Sequence, residues 1–161
     1  MSFFQHVTIL HGVGVGGGSL VYANTLPLPK DDFLQQHIPG AVFFDIDGIA
    51  DKSSGLPHML PSPGEFSRAV GALGIGDSET AVAYDGSGMF SAPRLWWTFK
   101  AMGHDQVKVL DGGFPKWKRE GRAVETGPGR ADSKFFTAIL KPRIVRDFGQ
   151  VTTTVADKSA Q

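Results

Sequence analysis

The sequence predicts an α/β fold built on an open parallel sheet with helices on both faces. Two kinds of segment indicate it: β-branched or aromatic runs suited to strands, and stretches whose apolar residues recur at helical spacing. These segments alternate along residues 33–125. Such alternation is typical of parallel strands joined by right-handed helical crossovers, in which helices cover each side of the sheet.

The first strand–helix unit of this stretch begins with the run AVFFDID at residues 41–47, which is suited to a buried strand. A loop rich in glycine, serine and proline follows it. Ser62 and Glu65 then form a capping-box pattern with Pro63 at the first helical position, and together they predict the start of a helix. The side chains expected on its buried face are Phe66, Ala69, Val70 and Leu73.

Two further units follow in the same order. The run TAVAYD at residues 80–85 and the run QVKVLD at residues 106–111 predict strands. Pro93 starts a helix between them, and residues 115–120 form a short helix after the second run. The side chains expected on one side of the longer helix are Leu95, Trp96, Phe99 and Met102. Three strands are few for a sheet, so residues 7–10 are expected to supply a fourth.

Charge and composition exclude several classes of function. The chain of 161 residues carries 16 basic and 16 acidic residues, so its formal net charge is zero. Without a basic excess or a basic block, we expect neither a nucleic-acid partner nor a membrane partner. The first residues lack the basic start of a secretory signal and no apolar run approaches transmembrane length, so a cytoplasmic location is expected.

The chain contains no cysteine. Thiolate metal sites, iron–sulfur clusters and cysteine nucleophiles are therefore excluded within this chain. Four of its five histidines show no metal-ligand spacing, so we expect no metal site and no cofactor. These four are His6, His11, His37 and His104.

The loop DGSGMFSAP at residues 85–93 is the best candidate for a ligand site, because it follows a strand end and leads into a helix N-terminus. Free amides and the helix dipole favour an anion there. However, Asp85 places a carboxylate at the mouth of the loop. From residue types alone, the favoured interpretation is that Asp85 and Ser91 satisfy amides of the loop and of the helix cap.

Asp47 and His58 stand at either end of a second loop that follows a strand. A carboxylate that orients an imidazole is one half of a relay that activates a nucleophile. From residue types alone, a purely structural hydrogen bond between the two side chains is the favoured interpretation. The relay is the alternative.

Residues 12–17 match the pattern GxGxxG after a strand-like run. A dinucleotide site needs an amphipathic helix next, but Pro27 and Pro29 interrupt the segment that follows, and the acidic residue expected about 20 residues on is missing. A flexible glycine loop is therefore the favoured interpretation.

The motifs HIPGAVFFDID, LPHMLP, FSAPRLWW and LDGGFPKW occur in this order along residues 33–125. In this set and order they resemble the N-terminal domain of the two-domain mercaptopyruvate and thiosulfate sulfurtransferases. The resemblance implies a rhodanese-like parallel sheet for residues 33–125. Residues 126–161 resemble the linker and the truncated start of a second rhodanese domain. We expect residues 1–32 to be a glycine-rich segment of different origin and the sheet to be incomplete at its first strand.

In that family the catalytic cysteine begins a loop of CGSG type in the second domain, and the resemblance makes DGSG at residues 85–88 the inactive counterpart. It also implies that Asp47 and His58 belong to a relay that acts across the domain interface. We therefore expect a sulfurtransferase-family domain that is inactive alone. The alternative is a docking module that supplies Asp47 and His58 in trans to a separate, C-terminal type of catalytic rhodanese domain, with Phe90 and Trp97 on the exposed interface.

Residues 6–32 are similar to a glycine-rich, flavin-contacting segment of the glucose–methanol–choline oxidoreductases. Those enzymes need several hundred further residues to hold the flavin, so no flavin binding is expected here. A remnant of a flavoprotein oxidoreductase is the third hypothesis. The two resemblances together imply a fused or rearranged gene product.

Overall fold

The computed structural model describes residues 7–13, 29–129 and 131–157, and in these ranges four parallel strands form one sheet. The strands are β1 Val7–Val13, β2 Val42–Asp45, β3 Thr80–Tyr84 and β4 Val107–Val109. Their order across the sheet is β2-β1-β3-β4. The fourth strand expected at residues 7–10 is therefore present as part of β1. This strand lies between β2 and β3, so it occupies the position at which we expected the sheet to be incomplete.

Helices precede, connect or follow these strands. They are α1 Pro29–Gln35, α2 Ile46–Ile49, α3 Pro63–Ala72, α4 Ala92–Ala101, α5 Gly113–Arg119 and α6 Phe148–Ala156. Among the helices of the described ranges, none has the length and apolar character of a membrane-spanning segment.

Helices cover both faces of the sheet, as the alternation of segments predicts. Successive strand residues point to opposite faces, so Phe44 and Phe43 of β2 belong to different cores. The larger core joins the sheet to α3 and α4, with Phe66 and Phe99 fully buried in it. The smaller core lies on the other face and includes Phe33 of α1, Tyr84 and Phe114 of α5.

The start of α3 has the predicted capping box. The Ser62 hydroxyl accepts a hydrogen bond from the Glu65 amide over 3.3 Å, and the Glu65 carboxylate accepts one from the Ser62 amide over 3.2 Å. Each side chain thereby satisfies an amide that has no partner within the helix. Local chemistry therefore fixes where this helix begins.

The buried side of α4 differs from the prediction at one residue. Leu95, Phe99 and Met102 are fully buried, but Trp96 is 38% exposed. Trp96 is one step along the helix from Leu95, which turns it by about 100° away from the buried stripe. Its ring lies under the ammonium group of Lys100, with the nitrogen 6.0 Å from the ring centroid.

An extended segment after residue 130 packs across α3 and α4. The Lys134 amide donates to the Gly71 carbonyl over 2.8 Å, and the Ile139 amide donates to the Met102 carbonyl over 2.9 Å. Between these anchors, Phe136 enters the larger core and is 4% exposed. Residues outside 33–125 therefore contribute to the packed unit at both ends, through β1 and through this segment.

Candidate functional site

The carboxyl ends of the parallel strands meet at one edge of the sheet. Val13 at the end of β1 pairs with Asp45 at the end of β2. Asp47 lies in α2 directly after β2, and Asp85 directly follows β3. Because ligands of open α/β sheets bind beyond this edge, both predicted loops lie where chemistry is expected.

The structure brings Asp47 and His58 together. Asp47 Oδ1 and His58 Nδ1 are in hydrogen-bond contact, with side-chain exposures of 57% and 27%. An ionised carboxylate only accepts hydrogen bonds, so His58 Nδ1 donates and Nε2 keeps its lone pair in the neutral ring. The geometry therefore leaves an imidazole that is oriented on one side and able to take a proton on the other.

Two local contacts hold this pair in place, and the backbone of His58 has an unusual conformation. The Asp45 carboxylate caps α2 by accepting the Gly48 amide over 2.8 Å, which fixes the turn that carries Asp47. An antiparallel bridge between Asp51 and Met59 closes the loop that carries His58. His58 itself has φ of +58°, in the left-handed region that side-chain-bearing residues seldom occupy.

Asp85 is buried in the second predicted loop and binds four backbone amides. Its Oδ1 accepts from Ser87 over 2.9 Å and from Met89 over 3.0 Å. Its Oδ2 accepts from Ser91 over 2.8 Å and from Ala92 over 2.9 Å. The amides that would favour an outside anion are thus already engaged by a carboxylate of the chain itself.

The electrostatics of Asp85 follow from these bonds. Burial by itself would raise the pKa of Asp85, but the four amide hydrogen bonds outweigh burial and hold the pKa below its ordinary value. The predicted role of Asp85 as an acceptor for loop and cap amides is confirmed. Ser91 is the N-cap residue of α4, but its side chain makes no capping hydrogen bond, so the predicted capping role of Ser91 is wrong. The Asp85 carboxylate accepts the cap amides instead.

Apolar side chains project from the same loop. Phe90 is 65% exposed and Met89 is 50% exposed. Trp97, which we expected on the same exposed interface, is half-buried and lies under the guanidinium group of Arg94, 4.6 Å from the ring centroid. Phe90 is therefore exposed as expected, whereas Trp97 is only partly exposed.

The remaining predicted features lie away from this edge or outside the described residues. His37 and His104 are buried, and their rings pack on Phe33 and Phe99 respectively. His6 and most of the GxGxxG segment at residues 12–17 fall outside the described ranges, and so does most of the oxidoreductase-like segment at residues 6–32. Within the described ranges, no group of three or more possible metal-ligating side chains could hold a metal ion.

One residue of the site was missed by the sequence analysis. Arg94, in the first turn of α4, donates from Nη2 to the carbonyl of His58 over 2.6 Å. A cation near a helix N-terminus is opposed by the helix dipole, so its presence there was a usable signal. The carbonyl that it binds belongs to a distant loop, and no local pattern could identify that partner.

Comparison with known proteins places this geometry in a family. A family model described as rhodanese-like domain matches residues 28–120. Thiosulfate/3-mercaptopyruvate sulfurtransferase 2 of Arabidopsis thaliana is 52% identical over 98 residues, which cover 61% of this chain and 29% of that protein. Thiosulfate sulfurtransferase of Bos taurus is 41% identical over 134 residues, or 82% of this chain and 45% of that protein.

A solved structure agrees with these matches. SseA from Escherichia coli, described as a 3-mercaptopyruvate sulfotransferase with the rhodanese fold, superposes with a TM-score of 0.84 at 33% identity. The superposition covers 96% of this chain and 57% of that one. The chain spans less than half the length of the two sulfurtransferase relatives above. It belongs to the rhodanese-like domain family and is homologous to the thiosulfate and 3-mercaptopyruvate sulfurtransferases.

Proposed function

We propose that this chain is the N-terminal, non-nucleophilic rhodanese domain of a 3-mercaptopyruvate/thiosulfate sulfurtransferase. The contact between Asp47 and His58 is the observation that carries the proposal. It provides an oriented imidazole at the ligand-binding edge of the sheet, while the chain itself provides no thiol. The nucleophile must then come from a second rhodanese domain.

The proposed role of the pair is proton transfer. Sulfur transfer in this family needs a thiolate, because the thiolate and not the thiol attacks the sulfur of the donor. His58 Nε2 can accept the thiol proton, and Asp47 stabilises the imidazolium that results through the bond to Nδ1. The thiolate attacks the outer sulfur of thiosulfate, and cleavage of the S–S bond releases sulfite. With mercaptopyruvate the C–S bond breaks instead, and the pyruvate enolate that leaves takes up the proton held by the imidazolium. In both cases the donor sulfur stays on the cysteine as a persulfide.

The chain alone is proposed to be inactive. Asp85 stands first in the DGSG loop, where the active counterpart has cysteine, and its carboxylate oxygens are held by four amides. A carboxylate bound in this way cannot carry sulfur as a persulfide. Removal of a covalent nucleophile costs on the order of a millionfold in rate in the protease series for which it has been measured.

The first experiment measures thiocyanate formation by the pure chain from cyanide with thiosulfate or mercaptopyruvate. We expect no turnover above the uncatalysed rate. The second adds a separately produced rhodanese domain that has the cysteine. It compares the parent chain with His58→Asn and, as a control, with Glu120→Gln, whose side chain pairs with Arg122. Turnover by the pure chain, or equal stimulation by the parent and His58→Asn, would refute the proposal.

A docking module acting in trans is the second candidate. It is favoured by apolar side chains that project into solvent, among them Phe90 at 65% exposure, Phe148 at 88% and Val155 at 72%. Helix α6 has no buried residue, and a helix of nine residues is marginal in water without a packing partner. The partner proposed is a cysteine-bearing rhodanese domain, because this chain spans less than half of its sulfurtransferase relatives.

Mixing experiments test the docking module. We expect a stable complex by size-exclusion chromatography, weakened by Phe148→Ser and unchanged by Thr154→Ser on the same helix. A mixture that gives neither a complex nor any stimulation of activity would exclude this candidate. Self-association of the chain with no binding to the added domain would also exclude it.

We propose the division of the chain into residues 1–32, 33–125 and 126–161 as a division by origin. Under this proposal β1, which falls in the first part, supplies an inner strand to a sheet whose other strands come from the second part. The segment containing Phe136, in the third part, closes the larger core. No function is proposed for the glycine-rich residues that follow β1.

A further inference from the structure

Arg94 connects the two loops of the site. Its side chain is half-buried in the first turn of α4, and Nη2 donates to the His58 carbonyl over 2.6 Å. In the same turn, the Ala92 amide donates to Asp85 Oδ2 over 2.9 Å. The loop anchored by the buried Asp85 carboxylate and the loop that carries His58 are therefore both held by one helical turn.

The environment of Arg94 is unfavourable for a charge. Within the described ranges no carboxylate lies within ion-pairing distance of it, its Nε is buried without a hydrogen-bond partner, and the helix dipole opposes a cation at this end. Two contacts offset this cost, the hydrogen bond to His58 and the stacking on Trp97. A charged side chain kept in such a place indicates a positional role.

The backbone conformation of His58 indicates what the hydrogen bond from Arg94 stabilises. A residue with φ of +58° is in the left-handed region, which residues other than glycine adopt at an energetic cost. The Asp47 contact depends on that conformation, since it sets the direction in which the imidazole leaves the chain. The guanidinium group of Arg94 donates a hydrogen bond to the carbonyl of His58 and so restricts rotation of the His58 backbone into other conformations.

We infer that Arg94 is a positioning residue that holds the His58 backbone so that the imidazole meets Asp47. The importance of this positioning for sulfur transfer rests on the proposed function. The positioning itself can be tested without measuring turnover. The probe is the Nδ1 proton of His58, whose hydrogen bond to a carboxylate gives a far-downfield proton signal in the NMR spectrum. The ¹⁵N shifts of the same ring report which nitrogen carries the proton.

The variants are Arg94→Gln and Arg94→Lys, with Lys100→Gln as the matched control. Lys100 is also a cation on α4, stacks on a tryptophan and donates to a backbone carbonyl, that of Asp105, over 2.8 Å. We expect Arg94→Gln to lose the downfield signal, Arg94→Lys to broaden it, and Lys100→Gln to leave it as in the parent. His58→Asn assigns the signal by removing it.

Folding is checked on the same samples from the dispersion of the backbone amide spectrum. If Arg94→Gln does not fold, Arg94→Lys decides the question, because lysine keeps the positive charge but lacks the planar arrangement of N–H donors of arginine. An unchanged downfield signal in a folded Arg94 variant would overturn the inference. Failure of the His58 variants to affect stimulated turnover would instead overturn the proposed function, so the two failures are distinguishable.

Discussion

The carboxylate of Asp85 accepts the amide proton of Ala92 over 2.9 Å, which fastens the end of β3 to the first turn of α4. Three further amides converge on the same carboxylate. A loop with the shape of an anion site is thus occupied by an anion of its own chain. The carboxylate organises this corner of the protein and offers no sulfur-carrying chemistry there.

Removing this carboxylate should destabilise the fold. We expect Asp85→Ala to lower the free energy of unfolding by about 3 kcal/mol or more, because several amides lose their acceptor in a site shielded from water. Urea unfolding measures the change. The control is Asp111→Asn, since Asp111 is exposed and pairs at the surface with Lys116, and its removal should leave stability near that of the parent. Equal stability of the parent and Asp85→Ala would contradict the prediction.

Asp85 should also contribute to the pH dependence of stability. Its pKa in the folded protein lies below the ordinary value of 3.8, so in acid the unfolded chain binds the proton more strongly. The stabilising contribution is therefore complete above the ordinary value and is lost as the pH falls through the folded value. We expect the stability difference between the parent and Asp85→Asn to be greatest at neutral pH and to shrink in acid. Urea titrations at several pH values measure this difference in stability. If it were the same at neutral pH and in acid, the prediction would be wrong.

The backbone of Met89 offers a test of strain in the same loop. Met89 has φ of +109°, imposed by a chain path that brings its amide to Asp85. Glycine adopts this conformation freely, so Met89→Gly should raise the free energy of unfolding by about 1 kcal/mol despite the added freedom of the unfolded chain. Met59, another exposed methionine whose φ is not positive, is the matched site, and Met59→Gly should destabilise. Thermal melts compare the two, and a loss of stability in both variants would show that no strain is relieved.

Local chemistry determined which parts of the fold the sequence could predict. The capping box of Ser62 and Glu65 is complete within four residues, so α3 was predicted with its start. Helix α1 was missed because Pro29 was taken to interrupt structure, whereas proline is well tolerated at the first position of a helix. The inner position of β1 was not predicted, since strand order depends on pairings between segments far apart along the chain.

The same distinction between local and distant partners holds for the residues of the candidate site. Asp47 and His58 were identified because they flank one loop and match a family motif, and the structure places them in contact. Asp85 was correctly interpreted as an acceptor because the amides that it binds lie within seven residues. Arg94 was missed because its acceptor is 36 residues away, and a single arginine does not indicate which backbone carbonyl it will meet.

The contribution of the segment after residue 130 can be measured with two adjacent phenylalanines. Phe136 is 4% exposed and its ring packs edge-on against Phe66 and Phe99, whereas Phe135 is 82% exposed. Phe136→Ala should lower the free energy of unfolding by about 3–5 kcal/mol, because it removes a large buried side chain and leaves a cavity between α3 and α4. Phe135→Ala has the same chemistry one residue earlier and should cost far less. If urea unfolding gave equal losses for the two variants, Phe136 would not belong to the core, and the packed unit would end before this segment.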